Sequence, residues 1–526
     1  MPARRIDRTF EKRLAALINS GERRVLQGGR RGVEKESLRV TPAGRIAATQ
    51  HPAALGSALT NDHITTDYSE ALIELVTPTF DTNWELLQYL CDLHQFVYRH
   101  LGDELLWATS MPCVVDGDAS IPIAQYGPSN IGRLKTIYRE GLGIRYGRVM
   151  QAISGVHFNY SFPQRLWEAW AAVRESHDTG QHFVSACYFD LLRNYRRHGW
   201  IVLYLFGVSP TVCNSFLRAR GETLPAFTRG TAWEPYATSL RMSDLGYRNR
   251  NQSGVEVSVN SLEEYVRDLG AAVSTPHPEY ERLGVKVDGQ YRQLNANLLQ
   301  IENEYYAFIR PKRVARSGER PTKALLRAGV EYVEVRALDV SAFDPVGVNQ
   351  HKLRFLEAFL ALCLMRESAL IDTDEQAVLD RNHVTVARRG REPGLMLQHD
   401  GRAHSMLDWG REILDQMQGI CELLDADDPK KPYTSSLAVQ RAKFDDVALT
   451  PSARLIKELR DTGESFFDLA LRTSAVHKNY FLDLYAPDQR RLGEFAAQAE
   501  ESLQAAAALA RAPRGDFDAY LADYLS

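Results

Sequence analysis

The 526-residue chain is 44% apolar and 25% charged, a mixture that excludes a disordered or fibrous protein and leaves room for a large buried core. Its 63 basic and 67 acidic residues give a formal charge of -4. The chain as a whole therefore has no pull toward nucleic acid or an anionic membrane, and any polyanion site has to be local.

Length alone suits about three domains, or one catalytic body with helical additions. The six cysteines, Cys91, Cys113, Cys187, Cys213, Cys363 and Cys421, are scattered without CxxC or Cys/His spacing. This suggests neither a zinc site nor a disulfide framework, and reduced thiols in a cytoplasm are expected. The N-terminal stretch has no apolar core followed by a cleavage site; Phe10, Leu14, Leu17 and Ile18 recur instead at the spacing of an amphipathic helix. The longest apolar runs, 200–208 and 358–365, fall short of the roughly 18 residues a membrane span needs. A soluble protein with no membrane partner is expected.

Residues 25–41 read as a strand region closed by a turn at Pro42-Ala43-Gly44. Strand side chains alternate, so Glu34 and Glu36 point the same way. Like charges that close raise each other's pKa unless a cation lies between them, and hard carboxylate oxygens suit Mg²⁺. For such a pair taken alone, an exposed acidic face is the simpler account. The run 71–77 stops at Pro78, and its β-branched content favours a strand from which Glu74 projects. Leu86, Leu90, Leu93, Val97 and Leu101 recur at helical spacing and predict a helix packed on the sheet. Residues 125–148, rich in glycine, arginine and tyrosine, read as a mobile surface segment whose chief recognition groups are Tyr138 and Arg139.

Further on, Gly155, His157 and Asn159 alternate with Val156, Phe158 and Tyr160, the pattern of a strand that backs onto a core and faces a site. Residues 183–206 are apolar nearly all round and predict a buried helix or helix pair. Arg241 and Tyr247 fall in a turn-forming stretch and by themselves are ordinary surface residues. Residues 300–306, followed by Arg310, Lys312 and Arg313, form a dense charge run whose default is a solvated face. In the strand-like run 330–338, Tyr332, Glu334 and Arg336 share a face. A carboxylate and a guanidinium two apart suit a metal-phosphate complex, or a plain intrastrand ion pair. Helical stripes follow through Leu353, Leu356, Leu360 and Leu364 and through Ile413, Met417, Ile420 and Leu424, and Thr450-Pro451 opens another helix.

No GxxxxGK[ST] or GxGxxG loop is present, so a nucleotide, if used, is not held by the common glycine-rich devices. The runs Gly32-Val33-Glu34-Lys35-Glu36-Ser37-Leu38-Arg39, Tyr138-Arg139-Glu140-Gly141-Leu142, Ile153-Ser154-Gly155-Val156-His157 and Ile309-Arg310-Pro311-Lys312, with the segments 51–60 and 64–74, closely resemble bacterial glutamate-cysteine ligases of the proteobacterial type. The likeness runs from Arg31 to the region of Leu395.

The resemblance implies an α+β, glutamine-synthetase-like catalytic fold: a curved, mainly antiparallel sheet with helices packed behind it. It would comprise a catalytic body, 1–395, and a mostly helical C-terminal region, 396–526, packed on the same body. It implies ligation of the L-glutamate γ-carboxylate to the amine of L-cysteine through a γ-glutamyl phosphate, the first step of glutathione biosynthesis. ATP and Mg²⁺, with Mn²⁺ as a substitute, are the implied cofactors; the partners are small molecules, without nucleic acid, and the chain is expected to be a monomer. By the same resemblance Glu34, Glu36, Glu74, His157 and Glu334 are metal ligands, with Asp67 as an addition. Arg336 steadies the transferring phosphoryl group and Arg139 lies near the phosphates. Tyr138, Leu142, Gln151, Tyr247 and Tyr306 line the cysteine pocket, and Arg241 holds a substrate carboxylate. Residues 125–148 are the expected lid. Two alternatives stand beside this reading: a ligase of the same fold that uses ammonia or another amine, and a non-catalytic module whose Arg310, Lys312, Arg313 and Arg316 meet an anionic partner.

Overall fold

The computed structural model describes residues 8–21, 24–246, 255–316, 318–484, 488–513 and 515–525. Strands β1 (Arg30–Val40), β2 (Ile64–Thr66), β3 (Leu72–Val76), β4 (Leu105–Leu106) and β5 (Gly155–Ser161) come first. Short strands β6 (Thr211–Cys213), β7 (Ala226–Thr228) and β8 (Thr231–Trp233) make a separate three-stranded sheet, and β9 (Lys286–Val287) pairs with β10 (Gln290–Tyr291). β11 (Ile309–Lys312) and β12 (Tyr332–Asp339) complete the main sheet, and β13 (Met396–His399) with β14 (Arg402–Ser405) forms a last hairpin. The main sheet has seven strands in the order β11-β12-β5-β1-β3-β2, with β4 also on β1, and its pairings are antiparallel.

Helices α1 (Arg8–Asn19), α2 (Asn83–His100), α3 (Asn130–Tyr146) and α4 (Arg148–Gln151) precede β5. After it come α5 (Gln164–Val173), α6 (Gln181–His198), α7 (Trp200–Phe206), α8 (Asn214–Arg220), α9 (Leu262–Ser274), α10 (Pro278–Leu283) and α11 (Pro321–Ala328). α12 (Gln350–Met365) and α13 (Thr373–Arg389) follow β12. The C-terminal part then runs through α14 (Met406–Leu424), α15 (Pro432–Asp445), α16 (Pro451–Thr462), α17 (Phe466–Asp483), α18 (Gln489–Arg511) and α19 (Phe517–Leu525).

The main core lies behind the sheet. Val33, Ile73, Leu75, Val156, Phe158, Val333 and Val335 are buried there in one cluster with Leu86 and Leu90 of α2, Leu191 of α6, and Phe355 and Phe359 of α12. Because strand side chains alternate, burying these residues behind the sheet sends Glu34, Glu36, Glu74, His157 and Glu334 to the front. The stripe foreseen on α2 is buried, and its first turn is capped by Thr82, whose side chain accepts from the Glu85 N–H. The apolar run 183–206 is the helix pair α6 and α7, and Ile413, Met417 and Ile420 of α14 join the main core. A buried network fastens the start of β1: Glu357 of α12 pairs with Arg31 at 2.6 Å and accepts from Asn83 Nδ2 at 2.6 Å and the Tyr433 hydroxyl at 2.9 Å. Among the described residues, no helix is long and apolar enough to cross a membrane.

Two expectations are not met. Instead of a mobile surface segment, residues 130–146 form helix α3, with Leu134, Ile137, Leu142 and Tyr146 buried. Its internal glycines blur the periodicity, yet they serve packing: a Cβ on Gly141 would meet Gln300 Oε1 at 2.2 Å. Cys113 and Cys213 are not reduced thiols but form a disulfide across 100 residues of sequence. No spacing rule links positions so far apart; tertiary packing brings the loop after β4 to β6. Cys91, Cys187, Cys363 and Cys421 are free.

Candidate active site

Strand register gathers the acidic groups. β1 sets Glu36 opposite Glu74 on β3 and Glu34 opposite His157 on β5. β12 then sets Glu334 opposite Asn159 on one side and Arg310 on the other. Directly opposed residues of an antiparallel ladder share a face, so groups from five strands converge. β12 shifts register between Val335 and Leu338, and such a bulge re-aims the side chains beside it. At this point Arg336 turns back and donates from Nη1 to Glu334 Oε1 at 3.1 Å.

Glu34, Glu36, Glu74, His157, Arg310, Glu334 and Arg336 line a cavity of about 400 Å³ together with Leu134, Lys135, Tyr138, Arg139, Leu142 and Tyr146 of α3. His157 sits among three carboxylates. Its Nδ1 is 3.1 Å from Glu34 Oε2 and 3.6 Å from Glu334 Oε1, and its Nε2 is 3.7 Å from Glu36 Oε1. Asn159 Nδ2 donates to Glu34 Oε1 at 2.9 Å, and the Gly155 N–H donates to Glu36 Oε2 at 2.6 Å. One ligand atom each from Glu34, Glu74 and His157 lie within 4.8 Å of one another.

Crowding divides the carboxylates electrostatically. Burial, and then the Asp67 charge, push the Glu36 carboxyl up to about 8. Glu74 rises well above the ordinary range through burial and the charges of Glu34, Asp67 and Glu36. The mutual elevation expected of Glu34 and Glu36 is absent at Glu34. Burial and Glu334 push its carboxyl up, but the His157 hydrogen bond and the His157 and Lys312 charges outweigh them and leave it low. Glu334 is held well below its usual range: Lys312, Arg336 and His157 overcome the burial that would raise it. Burial, helped by Arg336, lowers the His157 imidazole, against the Glu34 hydrogen bond and the Glu334 and Glu34 charges that pull it up.

The cavity brings together Glu34, Glu36, Asp67, Glu74, His157, Glu334, Tyr138, Arg139, Leu142, Gln151, Tyr306 and Arg336. Arg139 is held over the Tyr126 ring at 4.6 Å and donates to the carbonyls of Asp67 and Lys135. Arg241 does not line the cavity. It is 1% exposed, fills the space a side chain at Gly155 would need, and donates to the Arg336 carbonyl at 3.2 Å. Tyr247 lies outside the described residues.

Several lining residues were missed. Arg310 and Lys312 belong to β11 rather than a solvated face, and Lys312 Nζ lies 3.7 Å from Glu334 Oε2. Their two-residue spacing was the available signal. Glu304 is pinned by Arg145 at 3.1 Å and the Tyr146 hydroxyl at 2.6 Å; nothing local marks it.

Fold and cavity define an α+β protein whose antiparallel sheet presents carboxylates, an imidazole and guanidinium groups to one cleft, a composition suited to a cation beside an anionic ligand. Residues 14–386 match the glutamate-cysteine ligase family. A glutamate-cysteine ligase of Alcanivorax borkumensis is 46% identical over 520 residues, covering 98% of this chain and 99% of that protein. One from Pseudomonas putida is 46% identical over 493 residues, 94% of each chain. The crystal structure of a Francisella tularensis glutamate-cysteine ligase in complex with AMP superposes with a TM-score of 0.89 at 36% identity, covering 95% of this chain and 98% of that one. The chain belongs to the glutamate-cysteine ligase family, and its fold is the mainly antiparallel sheet with helices behind it that the sequence resemblance implies.

Proposed function

We propose that this chain joins the γ-carboxylate of L-glutamate to the amine of L-cysteine at the expense of ATP, the first step of glutathione biosynthesis. The observation that carries the reading is the meeting in one cavity of Glu34, Glu74 and His157, close enough to share an ion, with Arg336. The relatives' names and the AMP complex of the Francisella protein support the choice of substrates.

The donor set fits a divalent cation of the magnesium kind. It is rich in carboxylate oxygens, it includes the His157 imidazole, and Glu334 Oε2 is buried without a hydrogen-bond partner. Glu34, Glu36, Glu74, His157 and Glu334 would hold Mg²⁺, or Mn²⁺ in its place, with Asp67 beside them. Such an ion supplies positive charge against phosphate oxygens when bound.

A carboxylate is a poor electrophile at neutral pH. Transfer of the terminal phosphoryl group of ATP converts it to an acyl phosphate and releases ADP; attack by the free amine then expels phosphate and forms the amide. In this scheme Arg336, with Arg310 and Lys312, meets the charge that spreads over the phosphoryl oxygens. The Glu334 carboxylate keeps the Arg336 guanidinium charged and in place. Arg139, fixed by backbone carbonyls, lies toward the phosphates. Tyr138, Leu142, Gln151 and Tyr306 surround the acceptor, and α3 shields the acyl phosphate from water. Arg241 acts through the charge it presents to Glu36. The reading carries with it a cytoplasmic, monomeric protein with small-molecule partners only.

The test is ADP release by purified protein given L-glutamate, ATP and Mg²⁺ with L-cysteine, ammonia or no acceptor. Fast release with cysteine is expected. Faster release with ammonia, or none with either, removes the reading.

A further inference from the structure

Helix α19 has no role in the chemistry above, yet it reaches the cavity. Tyr524 lines it alongside Ile131, Leu134, Tyr138 and Ile301. The helix is seated by a small apolar cluster separate from the large cores, in which its Phe517 and Leu521 are buried against Leu134, Ile137, Leu294 and Ile301.

Polar contacts fasten both ends. Asp518 accepts from Lys286 Nζ at 2.7 Å and from the Tyr291 hydroxyl at 2.6 Å. The Arg133 guanidinium lies 4.1 Å from the centre of the Phe517 ring. At the other end Arg320 donates to the Leu525 carbonyl at 2.9 Å and pairs with Glu302 at 2.8 Å. Glu302 begins the turn Glu302–Glu304, whose Asn303 and Glu304 line the same cavity. The end of the chain is thus tied to two elements that bound the cleft, α3 and this turn.

We propose that α19 is a wall of the active site and that Tyr524 is a specificity-determining residue that closes the cavity around the amine acceptor. This rests on the proposed function, which places Tyr138 beside the acceptor. Tyr524 and Tyr138 both pack against the same small apolar cluster, formed by Leu134, Ile137, Leu294, Ile301, Phe517 and Leu521. That end of the cavity suits the side chain of a small amino acid better than a metal-bound phosphate. An aromatic ring has few rotamers to lose and covers a large area, so it can fix an acceptor and exclude water cheaply in entropy.

The experiment uses the full chain carrying Tyr524→Ala or Tyr524→Phe, with each substrate varied in turn. Tyr524→Ala is expected to raise KM for L-cysteine about tenfold, while KM for ATP and L-glutamate stays within about twofold. Tyr524→Phe is expected to restore the wild-type value. Unchanged KM for cysteine, or a rise confined to ATP or glutamate, overturns the proposal. A wild-type protein that forms no dipeptide refutes the proposed function instead. The wall is then judged by hydrogen exchange in Phe517–Leu525, which L-cysteine with L-glutamate and Mg-ATP slows if α19 closes on an occupant and leaves unchanged if it does not.

Discussion

Replacing Glu36 by glutamine separates the demands of folding from those of ion binding. Burial first, and Asp67 next, raise this carboxyl from an ordinary 4.5 to about 8, against the pull of Arg241, Arg336 and the Gly155 N–H. Between those two pH values the folded chain keeps a proton that the unfolded chain has lost. The stability Glu36 contributes is therefore complete below the unfolded value and is lost as pH rises through the folded one. At ~1.4 kcal/mol per pH unit the ceiling is about 5 kcal/mol. Neighbouring carboxylates adjust their own protonation, so ~2–3 kcal/mol is the working expectation. Glutamine keeps the shape, and an oxygen for the Gly155 N–H, but cannot ionise. Urea unfolding in EDTA should find Glu36→Gln more stable than wild type by that amount near pH ~8.5, with the advantage gone near pH ~5. Added Mg²⁺ should then stabilise wild type more than the variant. A stability difference that does not change with pH, or a variant weaker than wild type near pH ~8.5, would refute the reasoning. Glu34→Gln should give no such gain, because His157 and Lys312 already hold that carboxyl low.

Arg336→Lys is expected to keep nucleotide binding but to lower kcat about a hundredfold, since an ammonium cannot reproduce the guanidinium fork; comparison of kcat with the nucleotide Kd checks this, and unimpaired turnover contradicts the assigned role. Glu357→Ala should cost ~3–5 kcal/mol in urea unfolding by stranding Arg31 in the core, and a loss under ~1 kcal/mol would show that the network is not a fastening. Buried Lys443 is pulled down to about 7 by burial and by the Lys352 and Arg454 charges, although Leu205 O and Gln440 Oε1 accept from its ammonium at 2.9 and 2.7 Å. The unfolded chain binds the extra proton above that value, so wild-type stability gains up to ~1.4 kcal/mol per pH unit as pH rises from about 7 toward the unfolded pKa. Lys443→Met should lack this gain, and parallel stability-versus-pH curves for the two proteins would exclude it.

Strand alternation alone put Glu34 with Glu36, and His157 with Asn159, on shared faces, because a period of two depends only on local backbone geometry. Which strands adjoin is a property of the whole fold. That Glu36 faces Glu74, and Arg310 faces Glu334, follows from register between segments distant in sequence. Strand patterning marked Glu74 and Glu334 singly as well, but it could not say which strands they would face. Arg310 and Lys312 read in sequence as a solvated face because charge clusters usually face solvent, and the four residues of β11 are too few to show an alternation that would contradict it. α3 does not show a helical pattern in sequence for the reason that makes it useful: Gly141, which breaks the pattern, lets Gln300 approach closely. Cys113 with Cys213, and Tyr524 in the cavity, are long-range meetings to which no local rule points.

The most direct test of the central claim follows the oxygen atoms of the γ-carboxylate. L-glutamate labelled with ¹⁸O at that group is incubated with L-cysteine, ATP and Mg²⁺, and the inorganic phosphate released is analysed by mass spectrometry. Activation of the carboxylate by phosphoryl transfer requires one labelled oxygen to appear in the phosphate and the other to remain in the new amide. Unlabelled phosphate formed alongside γ-glutamylcysteine would mean that the carboxylate is never phosphorylated, and would contradict the role assigned to Arg336 and the carboxylate cluster.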